Sequence, residues 1–130
     1  MSDNHRPLDP GQQALQFVSL DQHAQELRDS QPYQKTGKSS RCLVRSHDFS
    51  MVLMALQPDA ELKEHHAPAS ASAMVLEGEV LFTGYAPEGE QERRLGPHES
   101  AVFSSELRHG VRAVQPSLLL LVIGGRGATS

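Results

Sequence analysis

From Arg41 to the end of the chain, short apolar runs alternate with turn signals, and no helical pattern separates them. The runs are "RCLVRS", "FSMVLMALQ", "SASAMVLEG", "EVLFTGY", "SAVFSS", "HGVRAV" and "SLLLLVIG". Pro58-Asp59, the stretch from Gly84 to Gly89, and Gly96-Pro97 punctuate them. Closely spaced strands without crossover helices predict an antiparallel sandwich or barrel. "LLLLVI" is apolar at every position, so both of its faces need cover. A two-sheet jelly roll supplies that cover. With 130 residues, the chain has length for one such domain with a modest core.

The segments before the strands divide in two. Residues 1–18 are expected to form a partly flexible N-terminal arm. Its first part, to about Gln13, is rich in Pro, Asp and Gln and lacks periodicity; it is expected to be mobile, or to order only against a neighbouring subunit. Residues 19–40 are read as a short helix and a loop, and residues 41–125 as the barrel. Ser19 can cap a helix over "LDQHAQELRD", with Leu20, Ala24 and Leu27 on one face. So short a helix must dock on something to persist. "SQPYQKTGKSS" reads as loop, with Pro32 and Gly37 as breakers. Its Gly-Lys-Ser matches the end of a phosphate-binding loop, but that motif needs a glycine where Pro32 stands.

Net charge is −4 with both signs mixed along the chain, and no basic stripe exists to follow a phosphate backbone. Nucleic acid is therefore not an expected partner. No apolar run approaches the roughly 20 residues of a membrane helix, so no membrane association is expected either. The N-terminal stretch lacks an apolar core of the signal-peptide kind, and the expected compartment is the cytoplasm. The lone cysteine, Cys42, cannot form an internal disulfide and is expected to be a buried strand thiol.

Chemistry concentrates in two segments. The first is "LKEHHAPASASAMVLEGEVLF", where paired histidines are followed by small residues and a tight turn at Gly78. The second is "LGPHESAVFSSELRHGVRAV", where His109 opens a strand. Histidine near a strand start, a glycine turn, and a distant second histidine can gather ligands inside a β-barrel. In this order the two segments resemble the two motifs of the cupin superfamily, over about Arg41 to Ile123. Within it they are most similar to small single-domain conserved-barrel cupins with a degenerate first motif. The resemblance implies an all-β double-stranded β-helix, a jelly-roll barrel, here with a short N-terminal helix.

The departures from the motifs bear on chemistry. Metal-binding cupins carry His-x-His and then Glu before the turn glycine. Counted back from Gly78, these places fall on Glu64, His66 and Ala71, so one histidine is replaced and the carboxylate is missing. In the second motif His98 and Ser104 replace the usual Gly and Pro, while the final histidine is present as His109. Counted by the "EH-x-A-P" pattern of the degenerate group, His65 is instead the recurrent histidine. Neighbours on a strand point to opposite faces, so one of His65 and His66 aims inward unless a bulge intervenes. Glu64 and His66 share a face in a regular strand. The candidate metal ligands are thus His65, His66, His109 and Glu64. Such donors suit one divalent ion of the Zn, Fe, Mn or Ni kind. Ala69, Ala71, Ala73 and Val75 would line an apolar, roomy lumen, with Ala71, Ala73, Val75 and His109 as the ligand pocket.

The expected function is binding of an unidentified small molecule in the barrel, with or without a divalent metal. The alternative is a metal-dependent enzyme of the dioxygenase or isomerase kind, using a His/His or His/His/Glu site. Met74 and Leu76 would lie on the opposite face of their strand. The resemblance implies that such a surface pairs two barrels as a homodimer.

Overall fold

The computed structural model describes residues 5–65 and 67–124, and the backbone alone for Glu64 and His65. Two helices precede nine strands. They are α1 (Leu20–Arg28), α2 (Gln31–Thr36), β1 (Lys38–Arg45), β2 (Phe49–Leu56), β3 (Glu61–His65), β4 (Ala71–Glu77), β5 (Val80–Ala86), β6 (Gly89–Leu95), β7 (Ser100–Phe103), β8 (Arg108–Ala113) and β9 (Ser117–Gly124). The strands form a five-stranded sheet in the order β1-β2-β9-β4-β7 and a four-stranded sheet in the order β3-β8-β5-β6. Every strand pair is antiparallel. This is the expected all-β, two-sheet roll with a short helix ahead of it.

The five-stranded sheet has cover on both faces. Between the sheets, Leu56, Ala71, Ala73, Val75 and Leu119 meet Val80, Phe82, Leu95, Val111 and Ala113. On the outer face, Leu43, Leu53, Ala55 and Leu118 meet Ala24, Leu27 and Tyr33 of the helices. Successive residues of β9 serve alternate clusters, Leu119 inward and Leu118 outward, which explains the unbroken apolar run. Helix α1 is held as its sequence predicts. Ser19 accepts a hydrogen bond from the Gln22 N–H, and Ala24 and Leu27 are buried.

The loop expected at 30–40 is instead α2 and the start of β1. Pro32 sits in the first turn of α2, where a missing N–H costs nothing. Ser30 caps the helix and Gly37, at φ 84°, closes it. So the two residues read as breakers mark the two ends of a helix. Part of the arm also pairs with its own chain. Leu8 forms a parallel bridge to Val44, donating to the Leu43 carbonyl and accepting from the Arg45 N–H, both at 2.9 Å. Residues 1–4, at the start of that arm, lie outside the described residues. Cys42 is only half-buried, its thiol directed at the Val44 carbonyl at 3.3 Å. Among the described residues no helix is long and apolar enough to cross a membrane.

The turn between β4 and β5 requires its glycine. Gly78 has φ 88°, and a Cβ there would collide with the Pro116 carbonyl oxygen and Ser117 Oγ. Ser117 uses that approach: its hydroxyl accepts from the Glu79 N–H and lies within bonding distance of the Glu79 and Gln115 carbonyls. The "VLEGEV" turn is thereby tied to the start of β9.

Candidate functional site

Strand β8 sends His109, Val111 and Ala113 inward and leaves Arg108 and Arg112 exposed. His109 is 3% exposed, one of two polar residues in the buried set. Its ring lies 4.3 Å from the Phe103 ring and 5.5 Å, nearly parallel, from the Phe82 ring (centroid distances). His109 Nδ1 stands 3.1 Å from the Leu107 carbonyl oxygen. A carbonyl can only accept, so Nδ1 carries the proton. In the neutral ring Nε2 then holds the lone pair. That is the tautomer by which histidines bind metals or accept a ligand's hydrogen bond.

The strands beside β8 bring two small or polar positions against His109. Gly84 of β5 is its cross-strand partner on one side. A Cβ at Gly84 would stand 3.3 Å from Leu107 Cδ2, so the missing side chain leaves room for Leu107. Gly84 is therefore inside a strand and not, as its sequence neighbourhood suggests, part of a turn. On the other side, the β3 backbone pairs Leu62 with Val111 and His65 with His109. Three steps on β3 match two on β8, which marks a bulge between Leu62 and His65. The bulge shifts the phase of the strand, and the residue in register with His109 is His65. His66 lies outside the described residues, as do the side chains of Glu64 and His65.

The other predicted pocket residues all come from β4. Ala71, Ala73 and Val75 are buried in the inter-sheet core, with Ala69 buried just before them. The reading of the alanines as open space needs adjustment. Ala71 is in register with Phe103 on β7, and Phe103 packs against Phe82 with ring centroids 5.4 Å apart. The aromatic pair fills part of the space that the small side chains leave, and the histidine ring rests on it. Sequence analysis missed Phe82 and Phe103 as site residues. Their signal was present: each alternates in phase with a neighbouring apolar residue of "EVLFTGY" or "SAVFSS".

Among the described residues no group of three or more His, Cys, Asp or Glu could hold a metal ion. His109 has a ligand's orientation and tautomer; further donors would have to come from the Glu64–His66 segment. His98 occupies an exposed turn at φ 71°, its backbone N–H donating to the Val75 carbonyl. Two of the clefts among the described residues have apolar walls. One, of about 640 Å³, follows β1 between Glu26, Pro32, Lys38, Met54 and Leu62. The other, of about 260 Å³, lies between β6 and β7 and is walled by Phe82 and Phe103.

A two-sheet antiparallel roll with an inward histidine on its penultimate strand defines the class as a double-stranded β-helix. Solved structures of that class superpose on the chain. A cupin superfamily protein from Desulfitobacterium hafniense does so with a TM-score of 0.61 and 16% identity, over 68% of this chain and 77% of that one. A cupin 2 conserved barrel domain protein from Leptotrichia buccalis gives 0.62 and 27%, over 71% and 43%. A single-residue variant of oxalate decarboxylase from Bacillus subtilis gives 0.65 and 24%, over 74% of this chain but only 27% of that one. No family model matches the sequence, and no curated protein matches it. The chain has the cupin fold, in agreement with the resemblance carried by its two histidine segments.

Proposed function

We propose that this cupin-fold protein binds a small molecule inside its barrel, with His109 as the polar group that reads it. The observation that carries this is a buried imidazole, held at Nδ1 by the Leu107 carbonyl and packed on two phenylalanines, which makes Nε2 its accepting atom. An apolar wall with one oriented polar atom is the usual make-up of a small-molecule site. The test is thermal denaturation of tag-free protein against a panel of small organic acids, alcohols and sugars. A ligand present at 100 times its Kd should add about 2.7 kcal/mol of stability, and His109→Ala should remove that gain. A panel that stabilises both proteins equally contradicts the reading.

A second reading, metal-dependent catalysis, is favoured by two observations. The His109 tautomer suits a metal ligand, and the β3 register brings His65 opposite it. In that reading His109 and His65 hold the ion, with Glu64 or His66 completing the set, and the ion supplies Lewis acidity to a bound substrate. The cupin-fold oxalate decarboxylase of Bacillus subtilis has Mn(II) centres, so manganese is the first ion to try here, with zinc, iron and nickel after it. Elemental analysis of protein purified without tag or chelator tests this. Less than a tenth of an equivalent of any transition metal, with none taken up on titration, contradicts it.

The homodimer belongs to the same proposal. Leu76 packs against the helical cluster, but Met74 remains 37% exposed, and Val102 and Val122 flank Ser72 across neighbouring strands on that outer face. This apolar stretch supports pairing with a second copy. A cytoplasmic location is part of the same proposal.

A further inference from the structure

The register of β6 on β5 pairs Phe82 with Arg93, Gly84 with Gln91 and Ala86 with Gly89. Residues directly opposite in an antiparallel pair share a face. Phe82 is buried in the core, so Arg93 and Gln91 belong to the inward row of β6. That row does not close on the other sheet. Between it and β7 lies the cleft of about 260 Å³, lined by Phe82, Leu95, Ala101, Phe103 and Leu107, with Arg93 and Gln91 at its rim. The Arg93 side chain makes no hydrogen bond or ion pair with the described residues. Its neighbours on the outward row are engaged. Arg94 pairs with Glu79, and Glu92 accepts from Thr83.

An inward charge on an edge strand has a plain alternative reading, as a guard against pairing with other chains. Two features go beyond that need. The outward row of β6 already carries Glu90, Glu92 and Arg94, so the edge is guarded without Arg93. And the positions opposite Arg93 and Gln91 are Phe82 and Gly84, which set an aromatic ring and then a position without a side chain across from the inward row. An unpartnered guanidinium beside an aromatic floor is complementary to a carboxylate joined to an apolar body. The cleft holds about the volume of eight or nine water molecules. That is below the usual range for drug-sized ligands, so the occupant has to be small.

We propose that the β6–β7 cleft is a second binding site, for a small aromatic or branched monocarboxylate, with Arg93 as its anion anchor. The site is separate from the lumen site read by His109, although Phe82 and Phe103 form a wall common to both. The proposal does not rest on the lumen reading.

Benzoate is the probe, with benzyl alcohol as a neutral body of similar shape. Each is titrated into the full chain and followed by backbone amide NMR. Benzoate should shift the amides of Ala101, Phe103 and Leu107 saturably, and benzyl alcohol should do so at least tenfold more weakly. Arg93→Gln should weaken benzoate at least tenfold, and Arg93→Lys should fall between the two. Arg93 is exposed, so both variants should fold as the parent does. Arg94→Gln, on the outward row of the same strand, should leave benzoate binding within a factor of three. Benzoate that shifts no cleft amide at millimolar concentration overturns the proposal, as does equal binding by Arg93→Gln. Binding lost with His109→Ala but kept in Arg93→Gln would put the carboxylate in the lumen and overturn it too.

Discussion

The two sheets bury their residues differently. The five-stranded sheet is covered by the other sheet on one face and by two helices on much of the other. The four-stranded sheet is covered on its inner face alone, and its outer face carries charges such as Glu61, Arg112, Glu92 and Arg94. In the first sheet the strands carry stability on both sides. In the second, only the inner face is packed, and both polar groups singled out, His109 and Arg93, belong to inward-facing rows of that sheet.

The contrast breaks most readily at matched leucines. Leu118 lies on the helix-covered outer face of the larger sheet and is 1% exposed. Leu118→Ala should cost about 2–5 kcal/mol in urea denaturation. Leu81 is on the outer face of the smaller sheet and is only partly buried. Leu81→Ala should cost about 0.5 kcal/mol. Equal costs would mean that the smaller sheet has a covered outer face too.

Gly78 joins the two sheets, and Gly78→Ala should cost about 1–3 kcal/mol from the left-handed backbone alone. Collision with Pro116 and Ser117 adds to that. A cost below 1 kcal/mol by the same denaturation would show the turn to be adaptable.

The smallest effect belongs to the docking of α1 on the larger sheet. The Arg41 guanidinium bonds the Glu26 carboxylate and holds its pKa below the ordinary 4.5. A depressed folded pKa gives stability that is present above the ordinary value and is lost as pH falls through the folded one. Glu26→Gln should therefore lower the denaturation midpoint slightly at pH 7 and leave it unchanged at pH 2. An equal loss at both pH values would assign the effect to packing instead of charge.

The same asymmetry explains what could be read from the sequence. "LLLLVIG" announces a strand covered on both faces, and β9 is one in its first half, while Val122 stays exposed. "GEQERRL" announces nothing, because only Leu95 is buried in β6 and pairing with β5 sets the rest. Arg93 was invisible for that reason. His109 was legible because it opens an alternating strand after a polar loop. The choice between His65 and His66 was not legible, because it turns on a bulge whose position is set by pairing with β8 and not by β3 itself.

The central claim is that His109, buried in the barrel, holds its proton on Nδ1 and keeps Nε2 as its accepting atom. Nitrogen NMR of the histidine rings, with His109 assigned by comparison with His109→Ala, tests it most directly. At pH 8 the account predicts a proton on Nδ1 and none on Nε2, with the Nε2 signal moving when a stabilising ligand or metal is added. A proton on Nε2, or an Nε2 signal that stays fixed while a lumen ligand binds, would contradict it.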